Sequence, residues 1–180
     1  MASARISAVV IRAARPSDIE QIRALHTCVA TLSGGIARYA DEITDEYVNE
    51  FMTRSLNHGV IVVAEDSASQ AIVGELHAYP YGLRRLNHVL TSLTIVVHPD
   101  TQGQGVGRQL FETLLREVRE ARPDILRVEL IVQESNEHAR RLYESVGFRV
   151  EGRLTDGIIN IKTGLPETDL AMAWVRSLAV

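Results

Sequence analysis

Apolar residues recur along the chain with two periods, and the switches between them divide it into elements. Val9–Ala13 is a short apolar run that predicts a strand, and Pro16 ends it. Ser17-Asp18-Ile19-Glu20 then has the spacing of a capping box. Ile19, Ile22, His26 and Val29 follow at intervals of three and four, which predicts a helix with one buried face. Thr31–Arg38 contains Gly34-Gly35 and reads as a loop. Ile43, Tyr47, Phe51 and Met52 mark a second helix that ends near Asn57-His58-Gly59.

The middle of the chain switches to strands. Val60–Ala64 is turned by Ser67–Gln70 into Ile72–Tyr79. Strict alternation puts Val73, Glu75, His77 and Tyr79 on one face of that second strand, and Ile72, Gly74, Leu76 and Ala78 on the other. Val89–Val97 is a further strand. Gly105–Glu120 predicts a helix whose stripe is Leu110, Phe111, Leu114, Leu115 and Val118. Ile125–Val132 is a strand, Asn136–Val146 a helix closed by Gly147, and Phe148–Arg153 and Asp169–Val175 complete the set. This order predicts an α/β fold with a mixed sheet. No repeat, low-complexity tract or linker interrupts it, so residues 1–180 are read as a single domain.

Composition narrows the functional classes. A chain of 180 residues with 46% hydrophobic and 23% charged residues is an ordinary globular protein. Its formal charge of -4 argues against a nucleic-acid partner, which calls for a basic face. Cys28 is the single cysteine, so no disulfide can form within the chain, and a space-filling role is expected for it. The longest apolar runs are too short to span a bilayer. The stretch Ala8–Ile11 after Arg5 is too short for a secretory signal, being broken by Arg12 and Arg15. A cytoplasmic protein with no membrane partner is expected.

The chemistry concentrates in Val97-His98-Pro99-Asp100-Thr101-Gln102-Gly103-Gln104-Gly105-Val106-Gly107-Arg108. A strand stops at a proline, a glycine-rich turn follows, and a helix starts inside the turn. Glycines let the backbone approach a ligand closely, and the first N–H groups of a helix have no internal partner and sit at the positive end of its dipole. The combination is an anion site suited to a pyrophosphate. A dinucleotide fingerprint would need glycine or alanine at Arg108 or Leu110, and a triphosphate loop would need Gly-Lys-Ser/Thr; neither is present. A plain strand-to-helix turn is the alternative, and His98 is read as one of its solvated residues.

Gln102-Gly103-Gln104-Gly105-Val106-Gly107 resembles the Q/R-x-x-G-x-G/A signature of the GNAT superfamily of acetyl-CoA-dependent N-acyltransferases. Asn136-Glu137-His138-Ala139-Arg140-Arg141-Leu142-Tyr143-Glu144-Ser145-Val146-Gly147-Phe148 is similar, position for position, to its second signature, N-x-x-A-x-x-x-Y-x-x-x-G-F. The element order agrees from about Ile6 to Trp174, and the residue-level match lies between Ile95 and Phe148. The resemblance implies a single GNAT-like domain with a mostly antiparallel sheet splayed at its centre and flanked by helices. It implies acetyl-CoA as cosubstrate, with pyrophosphate on the loop Gln102–Arg108, pantetheine along Ile95-Val96-Val97, Asn136 on the CoA arm and Tyr143 beside the thioester sulfur. The residues themselves leave alternatives open. Ala139, Leu142, Tyr143 and Val146 fall on one helical stripe, so Tyr143 also reads as core, and Asn136 also reads as a helix cap.

The implied reaction is attack of a neutral amine on the thioester, without an enzyme nucleophile. Tyr143 is the candidate general acid for the leaving sulfur, and backbone N–H groups at the splayed strand are candidates for the oxyanion. Many relatives place a glutamate on a central strand, but Val89–Val97 holds no acid. Glu75 or His77 on the preceding strand is therefore the candidate base. Glu129 is a further acid, with a surface charge or ion pair as the plain reading of it and of Glu75. The turn Tyr79–His88 carries Arg84 and Arg85, which suit a substrate carboxylate, and this stretch looks similar to bacterial members that acetylate free amino acids. A solvated turn is the alternative. The leading expectation is thus an acetyltransferase acting on a small-molecule amine such as an amino acid. A protein N-terminal or lysine acetyltransferase and a non-catalytic CoA-binding module are the other readings. No metal site is expected, and a homodimer is compatible with the sequence.

Overall fold

The computed structural model describes residues 8–32 and 36–177; the glycine pair predicted at 34–35 and Arg5 lie outside them. Strand β1 (Val9–Ala13) leads through a 3-10 turn (Pro16–Asp18) into α1 (Ile19–Ala30). Helix α2 (Asp45–His58) follows, capped by the Thr44 hydroxyl accepting from the Tyr47 N–H at 3.2 Å. Then come β2 (Val60–Asp66), β3 (Ile72–Pro80), β4 (Val89–Val97), α3 (Val106–Ala121), β5 (Arg127–Gln133), α4 (Glu137–Ser145), β6 (Arg149–Ile159) and β7 (Pro166–Val175). One seven-stranded sheet results, in the order β1-β2-β3-β4-β5-β7-β6. Every neighbouring pair is antiparallel except β4 and β5.

Each face of the sheet buries its own apolar cluster. Helices α1 and α2 cover one face through Ile22, Leu25, Val29, Val48 and Phe51. Helix α3 covers the other through the predicted stripe Leu110, Phe111, Leu114, Leu115 and Val118, joined by Tyr143 and Phe148. No described helix is long and apolar enough to cross a membrane.

Three local expectations are corrected by tertiary contacts. The start of α1 does not use the Ser17 box. The Asp18 carboxylate instead turns back to the Arg15 N–H at 2.7 Å and the Arg12 guanidinium at 2.7 Å and 3.0 Å. Arg12 also grips Glu65 on β2, so a charged clasp ties β1, β2 and α1 together. On β3 the alternation breaks where the register with β2 shifts at Ala64/Glu65. The bulge sends Ile72 to the α1–α2 cluster and Val73 to the α3 cluster, the reverse of strict alternation. Strand β6 runs six residues past the predicted Arg153 because it pairs as an edge strand, largely exposed and without a readable apolar period.

Arg176, just past β7, closes the C-terminal end of α3. Its guanidinium donates to the carbonyls of Val118, Arg119, Arg122 and Ile125, the last at 3.0 Å. Those of Val118 and Arg119 belong to the last turn of the helix, whose carbonyls lack internal partners. Arg176→Ala is expected to lower unfolding free energy by about 1–3 kcal/mol in urea titration, with acetyl-CoA binding unchanged.

Candidate active site

The site begins where β4 and β5 part. They pair only at Val89↔Arg127 and Leu90↔Val128, after which β4 stays with β3 and β5 with β7. A bulge lies just beyond the pairing, at the register shift opposite His77/Tyr79, with Ser92 at φ 51°. Because the His98 N–H donates to Val73 O on β3 at 2.8 Å, alternation along the strand turns the peptide groups of Ile95 and Val97 towards the gap. The Val97 carbonyl there accepts from the Gln102 side chain at 3.1 Å.

The loop after β4 delivers the predicted anion site. Gly103 and Gly105 adopt φ of 74° and 81°, the left-handed region where glycine is favoured, and a Cβ at either would meet open space. Gly105 is the N-cap of α3, and the first bond back to it comes from the Gln109 N–H at 3.1 Å. The N–H groups of Val106, Gly107 and Arg108 are thereby left for a ligand. Gln104 braces the turn by donating to the Asp100 carbonyl at 3.0 Å. The Asp100 N–H in turn donates to His98 Nδ1 at 3.3 Å.

Two clefts open at the parted strands. The first, about 680 Å3, is lined by Ile95, Val97, Gln102, Gly103, Gly105, Val106, Gly107 and Arg108, and by α4. The second, about 450 Å3, lies against β5 and β7 and includes Ile36, Thr94, Gln133, Gly157 and Asp169. Ile95, Asn136 and Tyr143 line both. Of the predicted cofactor residues, Val96 and Gln104 are not on the wall: Val96 packs into the α1–α2 cluster and Gln104 braces the turn.

Both readings of the α4 residues hold at once. Asn136 caps the helix, its Oδ1 accepting from the Ala139 N–H at 3.1 Å, while lining both clefts. Tyr143 is 8% exposed, with its ring packed against Phe111 and Phe148. Its hydroxyl has no hydrogen-bond partner among the described residues, and burial pushes its pKa up to about 12. Helix α4 also brings His138, Arg141, Leu142 and Ser145 to the first cleft, of which only Leu142 was singled out from the sequence, on the apolar stripe. Their spacing of three, four and seven was a readable face. Arg141 and Arg108, the latter donating to Ser145 Oγ at 2.8 Å, set positive charge around the anion site of an otherwise acidic chain.

The other sequence candidates lie elsewhere. Glu75 and His77, 0% and 1% exposed, sit under α1 and α2 and line neither cleft. Glu75 accepts from His26 Nε2 at 2.8 Å and His77 Nδ1 at 3.0 Å. His77 is stacked on Phe51 at 4.1 Å between ring centres. Burial alone would push the Glu75 carboxyl up, but the charge and hydrogen bonds of His77 and His26 outweigh it and hold it below its ordinary value. The sequence showed no metal-like cluster, whereas folding brings these three ligand-type side chains within 4.8 Å of one another. Glu129 is a paired charge: it accepts from the Tyr81 hydroxyl and from Arg127 Nε at 2.8 Å. Arg84 and Arg85 are exposed on a 3-10 turn (Arg84–Leu86) and line neither cleft.

A glycine-bounded anion loop, a parted strand and a tyrosine at the meeting of two clefts suit transfer of a group from a pyrophosphate-bearing carrier. Comparison with known proteins supports the same conclusion. A family model described as "Acetyltransferase (GNAT) domain" matches residues 57–150, just over half of the chain. The L-amino acid N-acyltransferase of Escherichia coli K12 is 24% identical over 147 residues, spanning 80% of this chain and 81% of that protein. A GCN5-related N-acetyltransferase from Kribbella flavida superposes with a TM-score of 0.80 at 26% identity, over 94% of this chain and 98% of its own. A Salmonella typhimurium acetyltransferase solved with its cofactor acetyl-CoA superposes with a TM-score of 0.80 at 21% identity, over 97% and 98%. The chain belongs to the GNAT acetyltransferase family and is an acyltransferase with acetyl-CoA as its cosubstrate.

Proposed function

We propose that the enzyme acetylates a small primary amine by direct attack on the thioester, with Tyr143 as the acid that meets the leaving sulfur. The observation that carries this reading is that Tyr143 borders both clefts, with an unpartnered hydroxyl. The pyrophosphate belongs on the N–H groups that begin α3, among Arg108, His138 and Arg141, and the pantetheine along Ile95 and Val97. The same open peptide groups are the donors for the tetrahedral oxyanion. A cleft of about 450 Å3 suits a small acceptor.

The raised pKa of Tyr143 shapes its part. A phenol near 12 stays protonated throughout the working range, so a proton is always available. A thiol ionises near about 8.5, so complete transfer to sulfur leaving a buried tyrosinate would be uphill. The hydroxyl therefore donates to sulfur as the C–S bond breaks, while a proton leaving the new amide nitrogen restores the phenol. Tyr143 ends the cycle neutral.

L-Amino acids are the first acceptors to test, because the E. coli relative is named for them. A panel of amino acids and simple amines, read through a thiol-reporting dye, should show acceptor-dependent release of CoA. Release with none of them would sink the proposal. Arg84 and Arg85 line neither cleft, so alanine at both should leave KM for the acceptor and for acetyl-CoA unchanged; a raised KM for an amino acid alone would restore them as a carboxylate clamp.

Two variants test the machinery. Gly105→Asp puts a negative charge, in open space, beside the anion site; acetyl-CoA binding by calorimetry should be lost with the fold retained by circular dichroism. Normal binding would remove the loop from the site. Tyr143→Phe keeps the ring and removes the proton, so kcat should fall by roughly 10²–10⁴ with CoA affinity and melting temperature little changed. A purely packing role for Tyr143 gives near-normal kcat instead.

A further inference from the structure

We infer that Asp169 is the general base: it meets the acceptor's ammonium at the floor of the second cleft and takes its proton. The inference rests on the amine-acetylating reading above and assigns the role left open once Glu75 and His77 are placed outside both clefts. Asp169 lies on β7, level with Gln133 of β5 and Leu154 of β6. It is 6% exposed, yet lines the second cleft together with Thr94, Asn136 and Tyr143.

Three observations set it apart from the other buried acids. First, its carboxylate makes no hydrogen bond or ion pair with any described residue, whereas Glu75 is held by two imidazoles and Asp18 by Arg12. Its oxygens reach the solvent of the cleft rather than being sealed in the core, and an unpaired carboxylate on a cleft wall is a functional candidate. Second, Asp169 and Tyr143 are the ionisable groups among the described residues of that cleft, and no lysine, arginine or histidine neutralises the carboxylate there. Third, β6 slips register between Leu154 and Ile158, which places Gly157 over the carboxylate. A Cβ at 157 would come within 2.9 Å of Asp169 Oδ2, so the glycine preserves the space the carboxylate occupies.

The charges around it act in the same direction. The neighbouring charge is Glu167 on β7, and the walls from β4, β5, α4 and β6 add none. Burial first, and then Glu167, raises the Asp169 pKa above its ordinary value, which makes it a stronger base than a solvated aspartate. The step balances as follows. One ammonium proton moves to Asp169, the freed lone pair forms the C–N bond, and the C–S bond breaks. The second proton returns through the Tyr143 oxygen as the Tyr143 proton goes to sulfur. Asp169 then releases its proton to water, so ammonium and thioester become amide, thiol and one proton.

Asp169→Asn keeps the shape and cannot accept the proton. With the alkyl primary amine that the wild type acetylates best, kcat/KM at pH 7 should fall by about 10²-fold or more. Acetyl-CoA affinity and melting temperature should hold. The deficit should narrow as pH rises towards the amine's own pKa, because solution then does the deprotonation. An undiminished kcat/KM at pH 7, or a deficit that stays constant with pH, would overturn the assignment while leaving amine acetylation standing. A wild type that releases no CoA with any amine would sink both. Should Asp169→Asn not fold, Gly157→Ala crowds Oδ2 without altering charge, and the same pH-dependent narrowing is expected and the same constant deficit decides against it.

Discussion

The early parting of β4 from β5 is the constraint on which the rest of the molecule depends. A parallel pair that stops after two residues leaves an edge inside a sheet, with peptide groups that would ordinarily be paired. That opening lets a ligand lie against the strand, and it gives α3 and α4 a shared gap to flank. It also joins two clefts through Ile95, Asn136 and Tyr143. Closing the gap would satisfy the backbone and abolish the site.

The sheet holds together around this opening because each half is paired on its other side. β4 keeps its ladder with β3, and β5 pairs along its whole length with β7. The α3 cluster then joins the halves, taking side chains from β2, β3 and β4 and from β5 and β7, while α1 and α2 pack on the other face of the first half. The Arg12 clasp and the Arg176 cap act at the margins, where helix and strand ends would otherwise carry unpaired groups. The weak point of the sheet is thus surrounded by well-satisfied structure, as a preorganised site requires.

The fate of the acids follows from the same geometry. Glu75 lies where strand alternation and two helices surround it, and the histidines that reach it make it a satisfied interior charge. Glu129 is bound by Tyr81 and Arg127 and lines neither cleft. Asp169 lies beneath the β6 register shift, where Gly157 leaves it room, and no cation reaches it. Two carboxylates weighed from the sequence and one that was not therefore end in three electrostatic environments, and only contacts from distant elements separate them.

The sequence alone determined the elements and the cofactor side of the site. Apolar periodicity placed β1 and β4 at their observed bounds, α3 with its stripe within one residue, and α1 and α2 within a few residues, because local period and burial agree there. The glycines of 103–107 and the signature from Asn136 to Phe148 are contiguous in the chain, so the anion loop and the tyrosine helix were legible as short motifs. The acceptor side was not. His26 joins Glu75 across 49 residues, and Asp169 enters the cleft from the last strand beside Thr94 of β4. Side chains gathered by strand order, register shifts and a bulge leave no periodic trace. Whether a carboxylate ends paired or bare is decided by which distant charge the fold brings to it.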